Sequence, residues 1–156
     1  MIKEGDFLIY QGGNGFIDLP IKLFTLSIYS HVAIARKYGF MTEALPGGVV
    51  RSKIRTKDLT IVRNTTGTKA GLKKALIWLN EQEGKEYDYV ALAGVVLNKF
   101  GIKKAHLLDS LNRWFCSELG MGFAKIAGMK SEYNDKYNDK YITPADMYRD
   151  KYNREV

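Results

Sequence analysis

The chain has 156 residues, which suits one ordinary domain and not two, so residues 1–156 are read as a single domain. With 46 % hydrophobic and 26 % charged residues it has the composition of a folded globular protein, which excludes a disordered or fibrous chain. Twenty-four Lys and Arg against 17 Asp and Glu give a formal net charge of +7, which favours anionic surroundings, and a single cysteine excludes any intramolecular disulfide.

Residues 7–10 form a short apolar run after Gly5-Asp6 and end at the turn-rich Gln11-Gly12-Gly13-Asn14-Gly15, the pattern of a strand entering a loop. From Asp18, with Pro20 in the first turn, Ile21, Leu23, Phe24 and Ile28 recur at roughly helical spacing, predicting a short helix that ends by Ser30. Residues 31–36 and 40–45, separated by Lys37-Tyr38-Gly39, predict a hairpin. Residues 49–52 and 59–63 predict two further strands, so the first half reads as a meandering antiparallel sheet.

Helical periodicity then takes over. Leu72, Ala75, Leu76 and Leu79 share a face between residues 68 and 83, with Gly84 as the stop. A second helical run spans residues 89–99, and its apolar segment 90–97 is too short to cross a bilayer. Residues 116–127 predict a helix with Leu119, Phe123 and Ile126 on one face, Cys116 at its start and Gly128 past its end. The twice-repeated Tyr-Asn-Asp-Lys within residues 132–141 reads as a solvated loop, and Thr143-Pro144-Ala145-Asp146 carries the capping signature of a last short helix. No signal-peptide pattern opens the chain and no segment approaches the roughly 20 apolar residues of a membrane span, so a cytoplasmic protein, or one released without a classical signal peptide, is expected.

Two histidines and one cysteine are too few for the usual four-ligand zinc site, so neither a metal nor another cofactor is expected. The glycines at 12, 13 and 15 fit neither the P-loop nor the dinucleotide fingerprint. A lone cysteine is by default a small buried hydrophobe. Cys116, however, opens a predicted helix, where the dipole and the unpaired N–H groups favour a thiolate, and where its own backbone N–H is placed to hold an oxyanion. His31, at the polar rim of an apolar strand, is the candidate base. His106 lies in the basic stretch Lys103-Lys104-Ala105-His106 and reads as solvated surface. If the hairpin pairs Ala35 with Gly39, His31 stands directly opposite Glu43, which makes Glu43 the candidate to orient the imidazole.

Six segments together resemble the permuted papain-fold amidases of the NlpC superfamily, and within it the YiiX-like branch. They are Gly5-Asp6 with the apolar run after it, Tyr29-Ser30-His31-Val32-Ala33-Ile34, Thr42-Glu43-Ala44, Gly84-Lys85-Glu86-Tyr87-Asp88, Phe115-Cys116-Ser117-Glu118-Leu119, and Thr143-Pro144-Ala145-Asp146. The resemblance implies an α+β, circularly permuted papain-like fold in which the base and acid precede the nucleophile in the chain. It implies Cys116 as nucleophile, His31 as base and Glu43 as orienting acid, acting on an amide of a peptidoglycan stem peptide or an N-acyl compound. A lipid-directed acyltransferase or thioesterase of the same superfamily is the neighbouring expectation. A basic, non-catalytic binding module for anionic polymers is the more distant one, and no specific nucleic-acid motif is present. Two glycines inside the nucleophile helix, Gly120 and Gly122, depart from good helix formers and require either close packing or a cost of about 1 kcal/mol each.

Overall fold

The computed structural model describes residues 1–11, 27–88, 113–133 and 142–156. The predicted residue-89–99 helix, His106, the glycines at 12, 13 and 15, and most of the Tyr-Asn-Asp-Lys repeat lie outside them. The fold is α+β. Strands β1 (Phe7–Gln11), β2 (Tyr29–Ala35), β3 (Phe40–Leu45), β4 (Gly48–Lys53), β5 (Leu59–Asn64) and β8 (Asn153–Glu155) form one antiparallel sheet in the order β4-β3-β2-β1-β5-β8. The end of the predicted residue-18–30 helix is instead strand: Tyr29 and Ser30 already belong to β2, where Tyr29 pairs with Gln11 of β1.

Strand β1 is buried on both faces, which is why its apolar run shows no alternation. Phe7 and Ile9 join the main core beneath the helices, whereas Leu8 and Tyr10 join a smaller cluster on the opposite face with Ala33, Ala35 and Met41. At its entry, buried Asp6 accepts two bonds from the Arg63 guanidinium, both at 2.7 Å, and one from the Lys3 N–H at 2.7 Å. The Gly5-Asp6 motif thus ties the start of the chain to β5.

Helix α1 (Lys69–Gln82) is capped by the Thr68 side chain, which accepts from the Gly71 N–H at 2.9 Å, and the chain turns away at Gly84 with φ +86°. Helix α2 (Cys116–Ile126) buries Leu119 and Phe123 against the sheet, and helix α3 (Pro144–Arg149) starts in a complete capping box between Thr143 and Asp146. The sequence does not reveal the short strands β6 (Glu86–Tyr87) and β7 (Arg113–Trp114), which pair in parallel, nor β8. Strand β7 leads straight into the first turn of α2. The Gly84-Lys85-Glu86-Tyr87-Asp88 segment therefore helps to fix where Cys116 begins. Among the described residues, no helix is long and apolar enough to cross a membrane.

The two glycines of α2 are packing devices. A Cβ on Gly122 would sit 2.8 Å from Cη2 of the Trp78 ring on α1, and one on Gly120 would sit 2.8 Å from the methyl end of Met147 on α3. The indole is rigid and the methionine is not. Gly122→Ala is therefore expected to destabilise the protein by about 1–3 kcal/mol despite the better helix propensity of alanine, whereas Gly120→Ala stays within about 1 kcal/mol of the parent. Urea unfolding of the two variants checks this, and equal losses at both positions would contradict the close-packing account.

Candidate active site

The predicted hairpin is present, but its register is not the expected one. Ala35 pairs with Met41 and Ala33 with Glu43, so residues 36–40 lie between the last paired residues, with Tyr38 at φ 61° and Gly39 at φ +77° making the turn. His31 consequently stands diagonal to Glu43 rather than directly across from it. An offset of two residues keeps every side chain on its face, as an offset of one would not. The two side chains still meet, and His31 Nε2 donates to Glu43 Oε2 at 2.7 Å.

Glu43 has no exposed side-chain surface, yet it stays anionic. Its surroundings explain this. The Arg55 guanidinium grips it from two sides, Nη1 donating to Oε1 at 2.9 Å and Nη2 to Oε2 at 2.7 Å, while the Ser52 hydroxyl donates to Oε1 at 2.5 Å. Burial alone would push its pKa up, but the bonds from His31, Arg55 and Ser52 overcome that and hold it down at about 2.

Three elements frame His31 on its strand β2. Tyr10 pairs with it across β1 and β2, the two ring centroids 6.1 Å apart. Glu43 reaches it from β3 and Cys116 from α2, which packs over β2 and β3. Only 14 % of the side chain is exposed. Burial works to lower the pKa of His31, but hydrogen bonding to Cys116 and Glu43, with the charge of both, lifts it to about 9. Since Nε2 is committed to Glu43, Nδ1 is the ring atom left to face the sulfur.

Cys116 is the first residue of α2, follows the extended Phe115, and is 3 % exposed. The first intrahelical bond runs from the Leu119 N–H to the Phe115 carbonyl, so the N–H groups of the preceding residues open the helix as an anion-stabilising turn. Ser117, next in the chain, is fully buried and donates its hydroxyl to the Ile142 carbonyl, tying this first turn to the segment that opens α3.

All three residues singled out in the sequence are thus gathered in one place. Arg55, Ser52 and Tyr10 were not anticipated. Ser52 shares a face with Glu43 through the β3–β4 pairing, a relation that only the register reveals. Arg55 lies beyond the end of β4 and carries no local mark that separates it from the other basic residues.

The site and the sheet together define an α+β protein with a cysteine at the start of a helix that packs over a strand bearing a histidine, the strand histidine preceding the helix cysteine in sequence. Among solved structures the chain is similar to metalloprotein yiiX from Escherichia coli O157:H7, with a TM-score of 0.68 and 17 % identity over 99 % of this chain and 96 % of that one. No protein-family model matches the chain, and no curated protein does. At this identity the likeness is one of fold, and the YiiX-like architecture expected from the sequence is the one observed.

Proposed function

We propose that the protein is a cysteine-nucleophile hydrolase that cleaves an amide bond through a thioester. The observation that carries this reading is the convergence of Cys116, His31 and Glu43: a thiol at the N-terminus of a helix packed over the strand that bears the imidazole, and a buried carboxylate bonded to Nε2 of that imidazole. Nδ1 of His31 takes the thiol proton and the sulfur attacks the substrate carbonyl. The Cys116 N–H and its neighbours in the first turn stabilise the oxyanion. Protonated His31 gives its proton to the leaving amine, the C–N bond breaks, and a thioester remains. Water, deprotonated by the same imidazole, then attacks the thioester and releases the acid and the thiol. The resemblance to NlpC-type amidases favours a peptidoglycan stem peptide or an N-acyl compound as substrate, and the net charge of +7 suits an anionic polymer or surface.

The solved neighbour is called a metalloprotein. Among the described residues, no group of three or more His, Cys, Asp or Glu side chains is placed to hold a metal ion. Glu43, the carboxylate nearest the pair, already carries a guanidinium on both oxygens. These residues do not fit a metal site, and no step is assigned to one.

The test is the rate at which iodoacetamide alkylates the chain's only thiol as a function of pH, in the parent and in His31→Ala. Rapid labelling below about pH 7 that disappears in the variant is the expected result, because only a histidine-supported thiolate reacts there. Labelling that rises only near the free-thiol range in both proteins would end the catalytic reading and bring the basic binding module forward. Acyl transfer from lipid with amides left intact would redirect the same chemistry to the acyltransferase alternative.

A further inference from the structure

Glu43 Oε2 receives two cationic donors, His31 Nε2 and Arg55 Nη2, each at 2.7 Å. One oxygen is therefore shared between the residue read as the base and a second cation outside the Cys-His-Glu linkage. Arg55 is itself fixed. Its carbonyl accepts from the Tyr10 hydroxyl at 3.0 Å, its guanidinium lies 4.9 Å from the Tyr10 ring centroid, and Tyr10 is the direct cross-strand neighbour of His31. Its fork sets the plane of the carboxylate, while 47 % of its side chain remains exposed.

We propose that Arg55 is a positioning residue that, by sharing Glu43 Oε2 with His31, holds the carboxylate in line with the imidazole and limits how tightly the imidazolium keeps its proton. The inference rests on the reading of Cys116 and His31 as nucleophile and base. A buried carboxylate with no other counter-ion would add its whole charge to that of a neighbouring thiolate, and the imidazole between them would release its proton to a leaving group reluctantly. A fixed cation on the same oxygen takes up part of that charge. The groups that face His31 and bear on its charge are Tyr10 from β1, Glu43 from β3 with Ser52 of β4 behind it, Cys116 from α2, and Arg55.

The experiment is an NMR titration of the His31 ring, assigned with His31→Ala, in the parent, Arg55→Gln and Arg55→Lys. Gln keeps a donor and drops the charge; Lys keeps the charge and drops the fork. The His31 midpoint is expected to move up by about one pH unit in Arg55→Gln and to stay within about 0.3 unit in Arg55→Lys, the size expected of one neighbouring charge on a half-exposed side chain. Hydrolysis falls in both variants. A purely structural Arg55 would lower the stability of both variants without separating their titrations, so unshifted or equal midpoints overturn the proposal.

If Arg55→Gln does not fold, Arg55→Met replaces it, because it keeps the apolar stem against Tyr10 and removes the charge while Glu43 stays in place. Loss of the cation must again raise the midpoint, and an unshifted one overturns the proposal. Iodoacetamide labelling of the parent separates the two levels of inference. A parent thiol that is unreactive below about pH 7 sinks the hydrolase reading whatever the titration shows. A reactive thiol with no effect of Arg55 on His31 sinks only the Arg55 proposal.

Discussion

Cys116→Ser is expected to lower amide hydrolysis at least about a thousandfold while leaving the fold and stability close to those of the parent. The substitution changes one atom at the start of α2. A serine hydroxyl does not ionise at neutral pH, and the His31 ring that withdraws a thiol proton readily is a poor match for an alcohol. The new hydroxyl replaces a buried thiol beside a hydrogen-bonding imidazole, so it finds a partner and costs about 1 kcal/mol or less. Ser117 cannot take over, because it has no exposed surface and its hydroxyl is committed to the Ile142 carbonyl. Activity near the parent level in Cys116→Ser, measured on the released amine, would show that the hydrolysis comes from another group. His31→Ala is expected to lose about as much, and the double variant little more than either alone, since a nucleophile and its base act as one unit.

The parts legible in the sequence are those with a local physical signature. The capping box of Thr143 and Asp146, the Thr68 cap, and the positive-φ glycines at 84 and 128 mark helix ends because each satisfies or releases backbone groups within a few residues. Cys116 was legible for the same reason: an apolar helical face begins immediately behind it. The hairpin register was not, because it depends on Tyr38 and Gly39 both taking positive φ, and composition gives no account of a tyrosine doing so. An offset of two residues nonetheless leaves Glu43 on the face that carries His31. Arg55 had no signature at all. It becomes distinctive only once β3 has buried a carboxylate that needs a counter-ion, a condition set by tertiary packing rather than by its neighbours in the chain. The glycines of α2 lie between these cases: their helix-weakening effect was visible, but Trp78 and Met147, which use the space, were not.

The His31–Glu43 pair also predicts how stability responds to pH. The pKa of Glu43 falls from an ordinary 4.5 to about 2 on folding, so its contribution is complete above about pH 4.5 and is lost as pH drops toward 2. The pKa of His31 rises from an ordinary 6.5 to about 9, so its contribution is complete below about pH 6.5 and is lost as pH climbs through 9. Both are present together only between about pH 4.5 and 6.5, and stability is expected to peak there despite the high net charge. On the alkaline side the shift of His31 alone is counted; it is set against burial by Cys116 and Glu43 together, and it gives a loss on the order of 3 kcal/mol on moving from pH 6 to pH 9.5. Urea midpoints across this range measure it. In His31→Ala the alkaline loss should flatten while the acid limb persists, because Arg55 and Ser52 still hold Glu43 ionised. A parent whose stability is level from pH 6 to 9.5, or an alkaline loss that His31→Ala leaves untouched, would mean that the imidazole carries no extra proton in the folded state. The hydrolase mechanism would then lack the acid that must protonate its leaving group.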